Sequence, residues 1–179
     1  MANYKIIFTG PVGAGKTTAI RAISDIPMVS TDEAAGDMAR NRKKTTTVAM
    51  DYGVMELSPG ERVHLYGTPG QERFDFMWDI LTQGGLGLIL MIDNSRRDPF
   101  RDMRFFLNAF REFIGRTSVV IGVTRVDVKS EPTIQDYRRE LQENHASQLP
   151  LFEVDARRRE DVALLVEALI YSLDPELAE

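Results

Sequence analysis

The sequence predicts an α/β fold: a six-stranded, mostly parallel sheet with one antiparallel edge strand and helices on both faces. Three observations carry that expectation. Short apolar runs alternate along the chain with stretches of helical periodicity, the pattern of parallel strands joined by crossover helices. Ser58-Pro59-Gly60 separates two strand-like runs, a hairpin signal that sets one strand antiparallel to its neighbour. A glycine-rich segment over residues 10–17 leaves the first apolar run and opens a helical one. No repeat, low-complexity stretch or Pro/Gly-rich linker divides the chain, so its 179 residues, 43% of them hydrophobic, read as a single domain, 1–179, long enough for a sizeable core.

In order, the first strand is Tyr4-Lys5-Ile6-Ile7-Phe8, and the first helix follows over about 16–26. A polar, Arg/Lys-rich stretch over 30–47 has no clear periodicity. The hairpin pairs 48–57 with 61–66, and the runs 86–92, 118–123 and 149–154 read as buried parallel strands. Helical patterns occupy 99–114, 133–143 and 159–173. In the last, Val162, Leu165, Val166, Leu169 and Leu173 recur at three- and four-residue steps and form one apolar face.

Composition excludes several classes. A formal net charge of −5 argues against a nucleic-acid surface. The absence of cysteine rules out disulfides, Cys-based zinc sites and a prenyl-acceptor cysteine. The start, Met1-Ala2-Asn3-Tyr4-Lys5, enters a strand at once, which leaves no room for a signal peptide. The apolar run 86–92 is far too short to cross a bilayer. A cytoplasmic protein without a membrane span or lipid anchor is expected.

The segment over 10–17 is Gly-Pro-Val-Gly-Ala-Gly-Lys-Thr, a G-x-x-x-x-G-K-T phosphate-binding loop in the strand-to-helix context it requires. Gly10, Val12, Gly13, Ala14 and Gly15 form the turn around the phosphate, Gly10 and Gly15 allowing the backbone to direct successive N–H groups inward. Lys16 supplies positive charge to the β- and γ-phosphates, and the Thr17 hydroxyl is a Mg²⁺ ligand. The helix begun by Lys16, Thr17 and Thr18 aims its N-terminal dipole at the same anion. A nucleoside triphosphate is the expected ligand.

Ligands of such sheets bind at the carboxyl ends of the strands, and the remaining motifs stand there. After Tyr66 comes Gly67-Thr68-Pro69-Gly70-Gln71-Glu72-Arg73-Phe74, which resembles the D-x-x-G-Q-E segment of the Ras-like small GTPases. After 118–123 comes Thr124-Arg125-Val126-Asp127, similar to that family's N/T-K-x-D guanine motif; after 149–154 comes Asp155-Ala156-Arg157, similar to its S-A-K loop. Met91-Ile92-Asp93-Asn94-Ser95 resembles the loop closing the family's fourth strand, and Thr45-Thr46-Thr47-Val48-Ala49-Met50-Asp51-Tyr52 resembles the Rab T-I-G-V-D-F, with Thr47 at the switch threonine. The resemblance covers essentially the whole chain. It implies the P-loop NTPase (small G-protein) fold and a slow GTPase using GTP/GDP and Mg²⁺ as a molecular switch.

The resemblance also assigns roles residue by residue. Thr17 and Thr47 hold Mg²⁺, Gly70 senses the γ-phosphate through its N–H, and Gln71 orients the attacking water. Asp127 accepts hydrogen bonds from the guanine N1–H and exocyclic amine, supported by Thr124, Arg125, Asp155, Ala156 and Arg157. Arg42, with Arg40 and Arg73 as alternatives, stands where an arginine finger could act on the γ-phosphate. Gly67 departs from the usual aspartate, Pro69 from alanine and Arg125 from lysine, and the interval from Thr17 to Thr47 is long. Those departures look more like the bacterial MglA-like branch, which implies a role in polarity, motility or signalling, a Roadblock/LC7-type activator and an effector. Gly67 also leaves open a GTP-binding module with negligible hydrolysis; a P-loop ATPase or kinase is the third alternative. His64 and His145 have no triad-like partners and read as structural, as do Phe105, Phe106, Phe110 and Phe113 at helical spacing. Trp78 reads equally as core or as partner surface, and Arg157-Arg158-Arg159 as a solvated helix start.

Overall fold

The computed structural model describes residues 2–30, 50–69 and 75–173. Seven strands and six helices alternate through these segments: β1 (Ala2–Thr9), α1 (Lys16–Ile23), β2 (Val29–Ser30), β3 (Asp51–Ser58), β4 (Glu61–Gly67), α2 (Asp75–Thr82), β5 (Gly87–Asp93), α3 (Pro99–Ala109), α4 (Arg111–Arg116), β6 (Val119–Thr124), α5 (Ile134–Glu143), β7 (Leu151–Glu153) and α6 (Arg159–Leu173). The strands form one sheet in the order β2-β3-β4-β1-β5-β6-β7. Pairs β4-β1, β1-β5, β5-β6 and β6-β7 are parallel; β3 is antiparallel to both its neighbours. This mixed α/β architecture is compatible with a P-loop NTPase fold. The expected six strands are corrected to seven, and the antiparallel strand expected at the edge, β3, stands one place in because β2 takes the edge. The extra strand, β2, pairs only Val29 with Tyr52 and Ser30 with Asp51, too short a run to leave periodicity in the sequence.

Side-chain alternation along the strands builds two cores. Ile6, Phe8, Val63 and Leu65 pack towards α1 and α6, against Ile20, Leu165 and Leu169. Ile7, Leu88, Leu90, Val119 and Ile121 point the other way, against Trp78, Phe106, Phe113 and Tyr137 of α2, α3, α4 and α5. Both faces of the central strands are therefore covered, which is why β5 and β6 read as unbroken apolar runs. Trp78 belongs to this core: it is 4% exposed, stacks on Phe110 at 5.0 Å and donates its indole N–H to the Pro69 carbonyl at 3.2 Å.

Helix ends follow local chemistry. Asp98 caps α3 by accepting the Arg101 N–H, with Pro99 in its first turn. Thr133 and Asp136 form a reciprocal capping box on α5. The single helix expected over 99–114 is interrupted at Phe110 (φ −98°, ψ 14°), where the ring stacks on Trp78. The first helix stops at Ile23 because Ser24 leaves helical geometry and turns its hydroxyl to β3, accepting the Val54 N–H at 3.1 Å. Asp25 continues that contact by accepting the Glu56 N–H at 2.8 Å, so polar groups along the outer side of β3 are satisfied without a long edge partner. Arg159 is more than a solvated charge, since it donates to Ile23 O at 3.0 Å and pairs with Asp25 at 2.8 Å, tying the start of α6 to the end of α1.

Successive crossovers leave β1 with β4 on one side and β5 on the other. The order of the sheet reverses here, and the loop after β1 opens into the crevice that results.

Candidate functional site

The loop after β1 is shaped by backbone that only glycine adopts without strain. Gly10 has φ +142°, and a Cβ there would lie 2.1 Å from the Met91 carbonyl oxygen. Gly15, at φ +97°, is the residue before α1 and accepts the Ala19 N–H at 2.8 Å, starting the helix. Val12 is exposed and Ala14 fully buried. Lys16 is buried at 8% exposure, and its ammonium donates to the carbonyls of Gly10 at 2.6 Å and Pro11 at 2.9 Å. Its charge is thus held against the loop's own carbonyls.

Burial pushes the Lys16 ammonium down to about 8; the nearby Asp51 carboxylate opposes the shift and Arg96 adds to it. A phosphate in this loop would supply the missing counter-charge, and Lys16 is then expected to regain its proton. Above pH 8 the free protein has lost that proton and the complex has not. Once the ionisation of the ligand itself is subtracted, binding inorganic tripolyphosphate at pH 9 is therefore expected to take up close to one proton at Lys16, and this contribution to affinity to decline as pH rises beyond 8. At pH 7 no uptake is expected at this group. Calorimetric titration in buffers of different ionisation enthalpy measures the uptake, and a value near zero at pH 9 would contradict this placement of Lys16.

Beside Lys16, the Thr17 hydroxyl donates to Asp51 Oδ2 at 2.5 Å. Asp51 is the first residue of β3 and stands opposite Gly67, the last of β4. A Cβ on Gly67 would lie 3.2 Å from Asp51 Cβ and 3.3 Å from Asp51 Oδ2. Asp51 thus brings a carboxylate oxygen to where a side chain at position 67 would begin, and an aspartate there would crowd it. Sequence reasoning passed over Asp51. Its signal was the hairpin, although a plain count across the turn at Pro59-Gly60 sets residue 51 against Thr68, and the register shift between Glu56 and Ser58 moves it to Gly67. Among the described residues no group of three or more His, Cys, Asp or Glu side chains could hold a metal ion alone. One hydroxyl and one carboxylate beside a phosphate loop suit Mg²⁺, which draws its other ligands from phosphate and water.

The loops after β6 and β7 meet the phosphate loop at a cavity of about 540 Å³. Ala14, Gly15 and Thr18 line it from one side, Thr124, Arg125 and Asp127 from a second, and Asp155, Ala156 and Arg157 from a third. The approach is close: a Cβ on Gly15 would lie 3.0 Å from Ala156 Cβ. Thr124 fastens the two loops, its buried hydroxyl lying 2.9 Å from Ala14 O and 3.2 Å from Ile92 O. Arg125 takes a left-handed conformation, φ +60°, and its guanidinium lies 3.7 Å from the buried Asp93 carboxylate.

Asp127 projects into this space with its side chain 66% exposed. Arg157 grips Asp155 with two guanidinium nitrogens, Nε at 2.8 Å and Nη2 at 2.7 Å, and its Nη2 reaches to 3.6 Å from Asp127 Oδ2. Hydrogen bonds from the Arg157 side chain and backbone hold the Asp155 carboxyl down at about 2. The Asp155 N–H in turn donates to Asp161 Oδ2 at 2.8 Å, which fixes the loop to the first turn of α6. The cavity thus offers an acceptor-only carboxylate to one edge of a flat ligand, and a phosphate loop lies in contact with its wall.

Of the expected site residues, Gly10, Val12, Gly13, Ala14, Gly15, Lys16, Thr17 and Thr18 form one continuous segment, and Thr124, Arg125, Asp127, Asp155, Ala156 and Arg157 face it. Thr47, Gly70, Gln71, Arg40, Arg42 and Arg73 lie outside the described residues.

The sequence has relatives among known proteins. Residues 27–174 match the sequence model of a family described as conserved hypothetical ATP binding protein. A 94-residue stretch is 28% identical to the uncharacterized protein MJ1339 of Methanocaldococcus jannaschii and covers 52% of this chain and 53% of that protein; the aligned stretch spans about half the length of that relative. The Ras-related protein Rab-18-B of Danio rerio is 24% identical over 173 residues, 95% of this chain and 78% of its own. Ras-related protein Rab-3 of Caenorhabditis elegans is 24% identical over 183 residues, 98% of this chain and 76% of its own. These similarities support a nucleotide-binding P-loop protein of the Ras-like superfamily. No helix among the described residues is long and apolar enough to cross a membrane.

Proposed function

The chain belongs to the family described as conserved hypothetical ATP binding protein; within that nucleotide-binding frame we propose, against the base the description names, that it binds a guanine nucleotide, hydrolyses GTP to GDP slowly and acts as a nucleotide-dependent switch. The observation that supports this is the shared cavity, whose lining includes Asp127 together with Ala14, Gly15 and Thr18 of the phosphate loop. Guanine presents two donors along one edge, N1–H and the exocyclic amine, to an acceptor-only carboxylate. Adenine presents an acceptor at N1, which a carboxylate repels.

In this proposal the β- and γ-phosphates enter the loop, and Lys16 exchanges the carbonyls of Gly10 and Pro11 for phosphate oxygens. Water attacks the γ-phosphorus in line with the leaving GDP oxygen, and the enzyme's work is positioning and charge stabilisation. Gln71 orients that water and the Gly70 N–H contacts the γ-phosphate. Mg²⁺, when bound, neutralises charge on the β- and γ-oxygens. Thr17 would ligate the ion, Thr47 would complete the set, and Asp51 would hold its water shell in place of an aspartate at 67. An arginine at 40, 42 or 73 would add charge stabilisation. The MglA-like branch, a role in bacterial polarity, motility or signalling, a Roadblock/LC7-type activator and an effector are part of the same proposal. One observation favours a second reading as an ATP-binding protein: beside the family's description, Arg157 lies close enough to Asp127 to compete for its carboxylate.

Phosphate release from GTP, measured across a Mg²⁺ titration, tests the proposal. Asp51→Asn is expected to raise the Mg²⁺ needed for half-maximal release about 10–100-fold, and Gln71→Ala to slow release at saturating Mg²⁺. Gly67→Asp, which crowds Asp51, is not expected to improve either. If release stays at background even with an activator present, and Gln71→Ala changes nothing, the protein is a binding module. Equal release from ATP favours the second reading.

A further inference from the structure

Asp127 lies in a loop that its own neighbours only partly define. Val128 and Lys129 both donate their N–H to Arg125 O at 3.1 Å, closing a turn around it. Beside the ion pairs of Arg125 with Asp93 and of Arg157 with Asp127, further fixing comes from a residue that lines no part of the cavity. Asn94, immediately after β5, is fully buried. Its backbone N–H donates to Thr124 O at 3.0 Å, at the entry of the loop. Its side-chain amide donates to Lys129 O at 2.7 Å and Pro132 O at 3.1 Å, at the exit. Both ends of the segment that carries Asp127 are thus held by one residue.

The fourth contact orients the amide itself. Asn94 Oδ1 accepts the Tyr137 hydroxyl at 2.7 Å, and Tyr137, on α5, is fully buried as well. Burial, with the carboxylates of Asp93 and Asp102, pushes the Tyr137 phenol up, so it stays a donor. Rotating the Asn94 amide by a half-turn would let its NH₂ donate to the phenol oxygen, but would set its carbonyl against two other carbonyls and leave the phenol proton without its acceptor. The pair therefore has one satisfied state.

We infer that Asn94 and Tyr137 are positioning residues for base selection, holding the 125–132 segment so that the Asp127 carboxylate meets the purine edge. This rests on the guanine reading above and deepens it. The effect is on the base, because the phosphate loop makes no hydrogen bond to either side chain.

Tyr137→Phe tests the inference with the smallest change of shape. The variant leaves Asn94 Oδ1 buried and unpaired, with only the two donors still fixing the amide, and GDP affinity is expected to fall about 5–10-fold. Tripolyphosphate affinity should stay at the wild-type value, and the GDP-over-ADP ratio should fall in step with GDP affinity. Asn94→Asp keeps the Tyr137 acceptor but turns both donors into an acceptor facing two carbonyls, so a larger loss in the same ratio is expected wherever that variant folds. A role confined to stability would lower the melting temperature while the ratio stays fixed, and that result would overturn the inference, as would equal losses for GDP and tripolyphosphate. Asp127→Asn is run alongside. If it collapses the ratio and Tyr137→Phe leaves it intact, positioning fails and guanine selection stands; if Asp127→Asn itself leaves the ratio unchanged, both fall.

Discussion

Asp127→Asn is expected to lose GDP by about 10²–10³-fold and to accept xanthosine diphosphate in its place. Each hydrogen bond to a charged acceptor is worth about 1.5–3 kcal/mol, and every 1.4 kcal/mol is about tenfold in affinity. The carboxamide keeps one acceptor for N1–H but turns an NH₂ towards the guanine amine, so one bond is lost and a donor faces a donor. In xanthine a carbonyl replaces that amine, and the same NH₂ finds an acceptor. Asp127 is exposed, so the substitution leaves the core untouched and the melting temperature of the nucleotide-free protein should change little. Competition against a fluorescent GDP analogue measures both affinities. A variant with wild-type guanine preference would remove Asp127 from the base site.

Gly10→Ala is expected to cost the fold more than any other single methyl group in the phosphate loop. Its Cβ would lie 2.1 Å from Met91 O and 3.1 Å from Met91 C. These are backbone atoms of β5, hydrogen-bonded in the middle of the sheet. Neither can yield as a flexible side chain would. Overpacking of about 1–3 kcal/mol and backbone strain of a similar size give about 2–6 kcal/mol together, a fall of roughly 5–20 °C in melting temperature for a domain of this size. Gly13→Ala is the control, since its Cβ would meet nothing within 4 Å although its φ is +79°; only strain of about 1 kcal/mol is expected there. Thermal unfolding of the two nucleotide-free variants decides the point. Equal stabilities would mean that the turn at Gly10 is not packed against β5.

Much of this architecture was legible in the sequence because it is local. A strand running into a glycine turn, or into Thr124-Arg125-Val126-Asp127, carries its motif within a few residues, and a parallel sheet brings strand ends to one crevice. What was not legible depends on partners distant in the chain. The break at Phe110 has no glycine or proline to announce it, because it follows from stacking on Trp78. Asp51 became visible only when the hairpin register set it against Gly67 and under Thr17. Asn94 looks like any loop polar residue until Lys129, Pro132 and Tyr137 close around it. Trp78 had two equal readings, and its burial among Phe105, Phe106 and Phe110 makes it core.

The most direct test of guanine selection is a competition titration of the wild-type protein with GDP and ADP under identical Mg²⁺ and salt. Asp127 opposite the purine edge predicts that GDP binds about 10²-fold or more tightly than ADP. Equal affinities, or a preference for ADP, would contradict it and leave a phosphate loop that does not choose its base.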